Sequence, residues 1–382
     1  MIYLDYSATT PVDPRVLEAM TPYFTGSFGN PSSVHRYGQV AEAAVDTARE
    51  TVATILNCKP DEVIFTSCGS ESDNLAIRGA AYAMREKTSA KWILAARTEH
   101  PAVTNTLKHL DKYESFLVEW LDVDTNGMVT PETVEKAICD NTAVVSVMYA
   151  NNEIGTINPI KEIAQVCQSK NVLFHTDAVQ AAAYLPVDVQ SLGVDMMSLG
   201  AHKFYGPKGV GALYVRKGTP LISQQTGGGQ EFSLRAGTQN VPYIVGFAEA
   251  LHLTHQEREE RVAHVKPLRD RIIGTVLETI PNSCLTGDME SRLPQHASFA
   301  FKGVDGNLLL TLLDAVGFAC SSGSACKTGN PAPSEVMNAI GLSREWGLGS
   351  LRVTLGMQTT PADVDAFLNT LPGLVEKARK LH

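Results

Sequence analysis

VLFHTDAVQAAAYLPVDVQSLGVDMMSLGAHKFYGPKGVGALYV, residues 172–215, is the stretch that decides the fold. It contains three short apolar runs, VLFHTDA (172–178), MMSLGA (196–201) and VGALYV (210–215). Apolar runs of four to eight residues bounded by turn residues predict strands buried on both faces. The same texture extends upstream. EVIF (62–65) precedes the helical stretch Glu71–Glu86, and WILAAR (92–97) precedes Pro101–Asp111. FLVEWLDV (116–123) is followed by Thr130–Ile138, and AVVSVMYA (143–150) by Ile160–Ser169. Strands alternating with helices predict a three-layer α/β domain around a mainly parallel sheet.

After about Val241 the texture changes. A long charged helical stretch, Ile244 to Thr279, is expected to break near Pro267. ASFAF (297–301), a helix Gly306–Ala315, a loop of small residues, a strand SLRVTL (350–355) and a helix Pro361–Lys380 follow. This pattern predicts a smaller α+β C-terminal domain. A chain of 382 residues is long enough to give each domain its own core.

Composition narrows the function. The net charge of −9 argues against direct nucleic-acid binding along a groove. MIYLDYSATTPVD at the N-terminus lacks the pattern of a signal peptide, and no apolar stretch reaches the ~20 residues of a membrane span. The seven cysteines form no Cys-x-x-Cys pair, so neither a disulfide framework nor a zinc site is expected. A cytoplasmic, reducing setting is the resulting expectation. DVDTNG (122–127) fails as a calcium loop because Glu132 falls one position early after a strand. No metal site is expected.

Reactive residues gather at predicted strand ends. In SLGAHKFYGPKG (198–209), Lys203 directly follows an apolar strand, where partial burial would lower its pKa and make it a reactive amine. A solvated lysine at a strand end is the alternative. Asp177 in HTDAVQ (175–180) ends another strand, where open α/β sheets bind ligands. A carboxylate there can keep a pyridine nitrogen protonated, or it can simply cap the next helix. Gln180 could donate to a phenolic oxygen of the same ring. TSCGSESDN (66–74) leads from a strand into a helix, where Gly69 and Ser70 suit a phosphate or merely begin the helix. It is not a Walker motif, and GVGALY (209–214) is not a dinucleotide fingerprint. His100 in TEH (98–100) could stack on a flat cofactor and move protons, or could be structural. Asn152 in NNEIG (151–155) could contact cofactor or substrate. Cys326 lies in ACSSGSACKTGN (319–330) beside Lys327, a cation that favours thiolate; an idle loop cysteine is the alternative. Cys320 reads as a buried thiol.

Taken in order, LDYSATTP (4–11), NPSSVHRYG (30–38), FTSCGSESDN, TEHPAV (98–103), NNEIGTI (151–157), HTDAVQ, GAHKFYGPKGVGALYVR (200–216), GGGQEFSLRAGTQN (227–240), SSGSAC (321–326) and LRVTLG (351–356) resemble the cysteine desulfurases of the class V aminotransferase family, of the nitrogen-fixation and iron–sulfur-cluster type. The match runs essentially end to end, and SSGSAC separates desulfurases from ordinary transaminases of the fold. The resemblance implies the fold type I architecture of pyridoxal-phosphate (PLP) transferases, with a seven-stranded sheet. The large domain would span 15–245, and 1–14 with 246–382 would form the small domain carrying the cysteine loop.

It also implies roles. Lys203 would carry the cofactor, Asp177 would face the pyridinium, His100 would stack on the ring as an acid or base, and Gln180 would meet the phenolic oxygen. Asn152 would lie near substrate and ring. Gly69, Ser70 and His202 would cradle the phosphate, with Thr238 reaching in from the other subunit of a homodimer. Arg352 would grip the substrate carboxylate. L-cysteine would yield L-alanine and a persulfide on Cys326, destined for an iron–sulfur scaffold or a thiolation enzyme. A selenocysteine lyase or another class V aminotransferase is the alternative, which shares Lys203 and Asp177 without requiring Cys326. The sequence departs from the family at Gly200, where a hydroxyl residue is usual, at Cys68 and Ser70, and at Lys327.

Overall fold

The computed structural model describes residues 1–322 and 332–381. Seven strands make the central sheet: β1 Val63–Thr66, β2 Trp92–Ala96, β3 Leu117–Leu121, β4 Thr142–Ser146, β5 Leu173–Asp177, β6 Met196–Gly200 and β7 Gly211–Val215. Their order is β1-β7-β6-β5-β4-β2-β3. All neighbours are parallel except β7, which is antiparallel to both β1 and β6. Residues 201–210 link β6 to β7, a connection shorter than the dozen or so residues a parallel crossover needs. The other six strands therefore share one direction, and their C-terminal ends share one edge.

The helices that position the site are α1 Arg36–Leu56, α2 Gly69–Thr88, α3 Pro101–Glu114, α4 Val241–Thr279 and α5 Pro361–Leu381. Side chains alternate across each strand, and on every strand but the partly exposed edge strand β3 both faces are buried. Ile64, Ile93, Val144, Met196 and Leu213 pack with Leu75 and Ile77 of α2 and Leu107 of α3. Their neighbours Phe65, Leu94, Val145, Met197 and Tyr214 pack on the opposite side with Val52 and Leu56 of α1 and Phe247 of α4. The three layers predicted from the sequence follow from that double-sided pattern. Phe247 anchors the second layer edge-to-face against Phe65 and Phe204, at centroid distances of 5.9 and 5.3 Å. The sequence reading does not place the helix α1; its buried face mixes Gly38, Ala41, Ala48, Ala53 and the charged Arg49 with larger apolar residues, which weakens the apolar periodicity.

A second, antiparallel sheet has the order β10-β9-β8, with β8 Ser283–Leu285, β9 His296–Phe301 and β10 Ser350–Thr354. Contrary to expectation, α4 does not break near Pro267 but runs 39 residues through it. Buried Val265, Leu268, Ile272 and Ile273 hold both sides of the proline, so packing outweighs the lost hydrogen bond. The 245/246 division falls inside this helix. The N-terminal segment lies along β10: Thr354 N–H donates to Leu4 O at 2.8 Å, and Ser7 N–H donates to Thr354 Oγ1 at 2.9 Å. This pairing carries residues 5–8 to the edge of the central sheet.

Candidate active site

Open α/β sheets bind ligands beyond the C-terminal ends of their strands. At that edge lies a cavity of about 230 Å³ whose lining includes Lys203, Asp177, His100, Gln180, Asn152 and Arg352. Gly69, Ser70, His202, Ser7 and Ala8 also line it. A roomier groove of about 520 Å³ at Arg97, Lys108, Trp120 and Glu335 is open to solvent, and its charges sit in exposed ion pairs, Arg97–Asp122 and Lys108–Glu335. Convergent buried titratable groups make the smaller cavity the site.

Lys203 sits on the 3₁₀ turn Ala201–Lys203, which begins where β6 ends. Its Nζ donates to Ser7 O at 2.5 Å and to Ala8 O at 2.8 Å. Burial, helped by the nearby Arg352 cation, pushes its pKa down from 10.5 to about 8, with Asp5 and Asp177 pulling the other way. A neutral amine is therefore accessible near physiological pH.

Asp177, at the end of β5, accepts from Val179 N–H at 2.9 Å. Burial raises its pKa, opposed by His100, the Val179 N–H and Lys203. His100 caps α3, its Nδ1 accepting from Ala102 N–H at 3.1 Å, so the neutral ring carries its proton on Nε2. Burial and Lys203 lower the His100 pKa, while Asp177 opposes them. A nitrogen of His100 and an oxygen from each of Asp73 and Asp177 lie within 4.8 Å of one another. Burial, reinforced by the Asp177 charge, holds Asp73 and the neighbouring Glu99 well above the carboxylate range. Burial opposes the ionised carboxylates that a divalent cation would need at this trio. Behind it, His175 bonds Ser146 Oγ and Ser198 Oγ, both at 2.9 Å, and burial pushes it down to about 3. Burial thus disfavours charge on Asp73, Glu99 and His175 alike.

The turn into α2 is built for close approach. A Cβ on Gly69 would stand 2.6 Å from Val179 Cγ2. The N-cap Cys68 makes no side-chain cap, so its first-turn N–H groups are not closed off from within the helix. His202 Nδ1 lies 3.2 Å from Thr9 Oγ1, and burial pushes its pKa down to about 4. The Gly200 departure leaves room: a Cβ there would lie at ordinary contact distance, 3.5 Å, from Gly69 N.

At Arg352 on β10, Nη1 donates to Asn152 O at 2.9 Å and Nη2 to Asp5 Oδ1 at 2.8 Å. Its Nε–H is buried and has no partner among the described residues. A buried donor without an acceptor costs about 1–3 kcal/mol, so this edge of the fork is made for a ligand. Gln180 Nε2 donates to Ser7 O at 2.9 Å.

Nine residues singled out in the sequence therefore meet in one cavity: Lys203, His100, Gly69, Ser70, Asn152, Asp177, Gln180, His202 and Arg352. Thr238 does not line it; it lines a separate cavity with Ser67 and Gly209. Cys326 lies outside the described residues. Cys320 is half-buried, and burial raises its thiol pKa. Sequence reading missed Asp73, Glu99, Asp5 and the Ser7 and Ala8 carbonyls. The first three stand inside quoted motifs, and the spacing of Asp73 from Gly69 and Ser70, one turn along a helix, was a usable signal.

The class-V aminotransferase family matches residues 2–367, and the chain belongs to that family. It is 46% identical over 382 residues to the cysteine desulfurase IscS of Clostridium botulinum (strain Hall), covering 100% of this chain and 96% of that one. A solved NifS-like protein superposes with a TM-score of 0.91 at 36% identity, covering 98% of this chain and 99% of that one. A structure of SspA in complex with cysteine gives a TM-score of 0.82 at 34% identity, over 94% and 100% of the two chains. Within the family the chain groups with the cysteine desulfurases. That membership implies a PLP cofactor.

Proposed function

We infer that the protein takes sulfur from L-cysteine with the help of PLP, releasing L-alanine and leaving the sulfur on Cys326. One observation carries this reading: a single cavity holds a lysine pushed down to about 8 and an arginine fork whose Nε–H has no partner among the described residues. The first suits amine chemistry at a carbonyl, and the second suits the α-carboxylate of an amino acid.

PLP fits the donor set. The uncapped turn at Gly69 and Ser70, with His202, would hold its phosphate, and Asp177 would pair with its pyridine nitrogen. A cationic N–H beside Asp177 offsets the burial that otherwise raises this carboxyl. His100 would lie against the ring, Gln180 would donate its remaining N–H to the phenolic oxygen, and Asn152 would stand near ring and substrate. When bound, the cofactor supplies an electron sink for negative charge at the substrate α-carbon. Lys203 Nζ, oriented by two carbonyls, takes and returns the α-proton. Arg352 fixes the carboxylate, and His100 moves a proton to or from the substrate thiol. The Cys326 thiolate would attack the substrate sulfur, an S–S bond forming as the S–Cβ bond breaks; the freed pair stays on the carbon side, and protonation of Cβ gives the methyl group of alanine.

A homodimer belongs to the same reading. Thr238 is exposed and outside its own chain's site, as a residue reaching a partner's phosphate would be. Exposed Phe28 and Tyr37, whose ring centroids lie 5.5 Å apart, offer apolar surface of the kind a second copy covers. The sulfur acceptor, an iron–sulfur scaffold or thiolation enzyme, and a cytoplasmic setting are proposed from the family likeness.

The test compares wild type with Cys326→Ser. Wild type should release alanine from L-cysteine and form a protein persulfide. Cys326→Ser should retain the visible absorbance of bound cofactor and lose sulfur transfer by at least about 10²-fold. Sulfur release at the wild-type rate by that variant would show that Cys326 is not the acceptor.

A further inference from the structure

Asp5 stands where the fork of Arg352 meets the chain that leads toward Cys326. Its Oδ1 accepts from Arg352 Nη2 at 2.8 Å, and its Oδ2 accepts from Ser321 Oγ at 2.7 Å. The two main chains are joined as well: Arg352 N–H donates to Ser321 O at 2.7 Å, and Ser321 N–H donates back to Arg352 O at 3.3 Å. Ser321 lies five residues ahead of Cys326 in the sequence. With Nη1 held by Asn152 O and Nη2 by Asp5, rotation of the guanidinium is blocked and Nε–H is left as the free edge. Asp5 itself is fixed by its bridge to Thr354 on β10, and Tyr3 Oη donates to its carbonyl at 2.9 Å.

We propose that Asp5 is a positioning residue for the substrate: its carboxylate sets the orientation of the Arg352 fork and ties that fork through Ser321 to the segment leading to Cys326. This rests on the function proposed above. One carboxylate oxygen serves each side, so the two roles separate chemically. Loss of the charge loosens the fork, whereas loss of the Ser321 hydroxyl leaves the Asp5–Arg352 pair intact and frees only the tie. Asp5 also shields Lys203 from the Arg352 cation, since the two act on the lysine in opposite senses.

The experiment uses the cofactor-loaded protein and follows the cofactor's spectrum on titration with L-cysteine and with cysteamine, which keeps the thiol and amine but lacks the carboxylate. Asp5→Asn should weaken L-cysteine about tenfold and leave cysteamine unchanged, because a charge-assisted hydrogen bond to the fork is lost. Ser321→Ala should leave L-cysteine affinity unchanged while slowing persulfide formation several-fold, and Ser321→Thr, which keeps the hydroxyl, should restore the rate. Equal weakening of both ligands by Asp5→Asn, or none, would overturn the proposal while leaving the assigned activity standing. A wild-type protein whose spectrum ignores L-cysteine would instead remove the functional reading and this inference with it.

Discussion

The lysine side and the arginine side of the cavity are made by different means. Asp177, His100 and Lys203 stand at or just beyond the C-terminal ends of β5, β2 and β6 in one sheet, and burial shifts the pKa of each. Arg352 comes from the second sheet and is fixed by pairing with Asp5 and Asn152, segments far from it in sequence. On the first side low polarity tunes reactivity. On the second, fixed charges and hydrogen bonds set direction. Reactivity and recognition are thereby assigned to separate parts of the fold, so they should fail separately.

Lys203→Ala is the sharpest way to break the first side: alanine formation from L-cysteine should fall by about 10³-fold or more, with loss of the lysine-dependent cofactor absorbance. Asp177→Asn keeps the shape and removes the carboxylate that would face the ring nitrogen, and kcat should fall about 10²-fold with little change in KM. Arg352→Ala belongs to the other side. It should raise KM for L-cysteine some tenfold or more while the bound cofactor's spectrum stays as in wild type, a split that a merely damaged fold would not give. The smallest expected effect concerns pH. The Lys203 pKa is lower in the folded protein, at about 8, than the ordinary 10.5, so the unfolded chain binds the extra proton between those values. Stability of the cofactor-free protein should then rise with pH across that window by about 1–3 kcal/mol, and Lys203→Met should abolish the rise. Urea melts at about pH 7.5, 9 and 11 would measure it.

The parts legible in the sequence follow the same division. All seven strands of the central sheet could be read because each is a short apolar run, and the residues at their C-terminal ends, Asp177, His100 and Lys203, were placed on one edge by topology alone. Antiparallel β7 was less visible, since direction depends on the length of a connection and not on strand composition. The acids Asp73 and Glu99 are not legible in the sequence because a carboxyl in a helix or at a strand end normally reads as exposed, and only the packed structure reveals the burial that raises their pKa. Asp5 was harder still. Its partners Ser321 and Arg352 lie more than three hundred residues away along the chain, and no local pattern announces such pairing. Pro267 misled for the opposite reason, a strong local signal overridden by burial on both sides of it.

Reductive trapping bears most directly on the central claim that a buried, strand-end amine carries the cofactor. Borohydride treatment of the cofactor-loaded protein, followed by peptide mass analysis, should put the pyridoxyl mass on the peptide containing Lys203 and nowhere else. A label on another lysine, or no label on a protein that still releases alanine from L-cysteine, would contradict it.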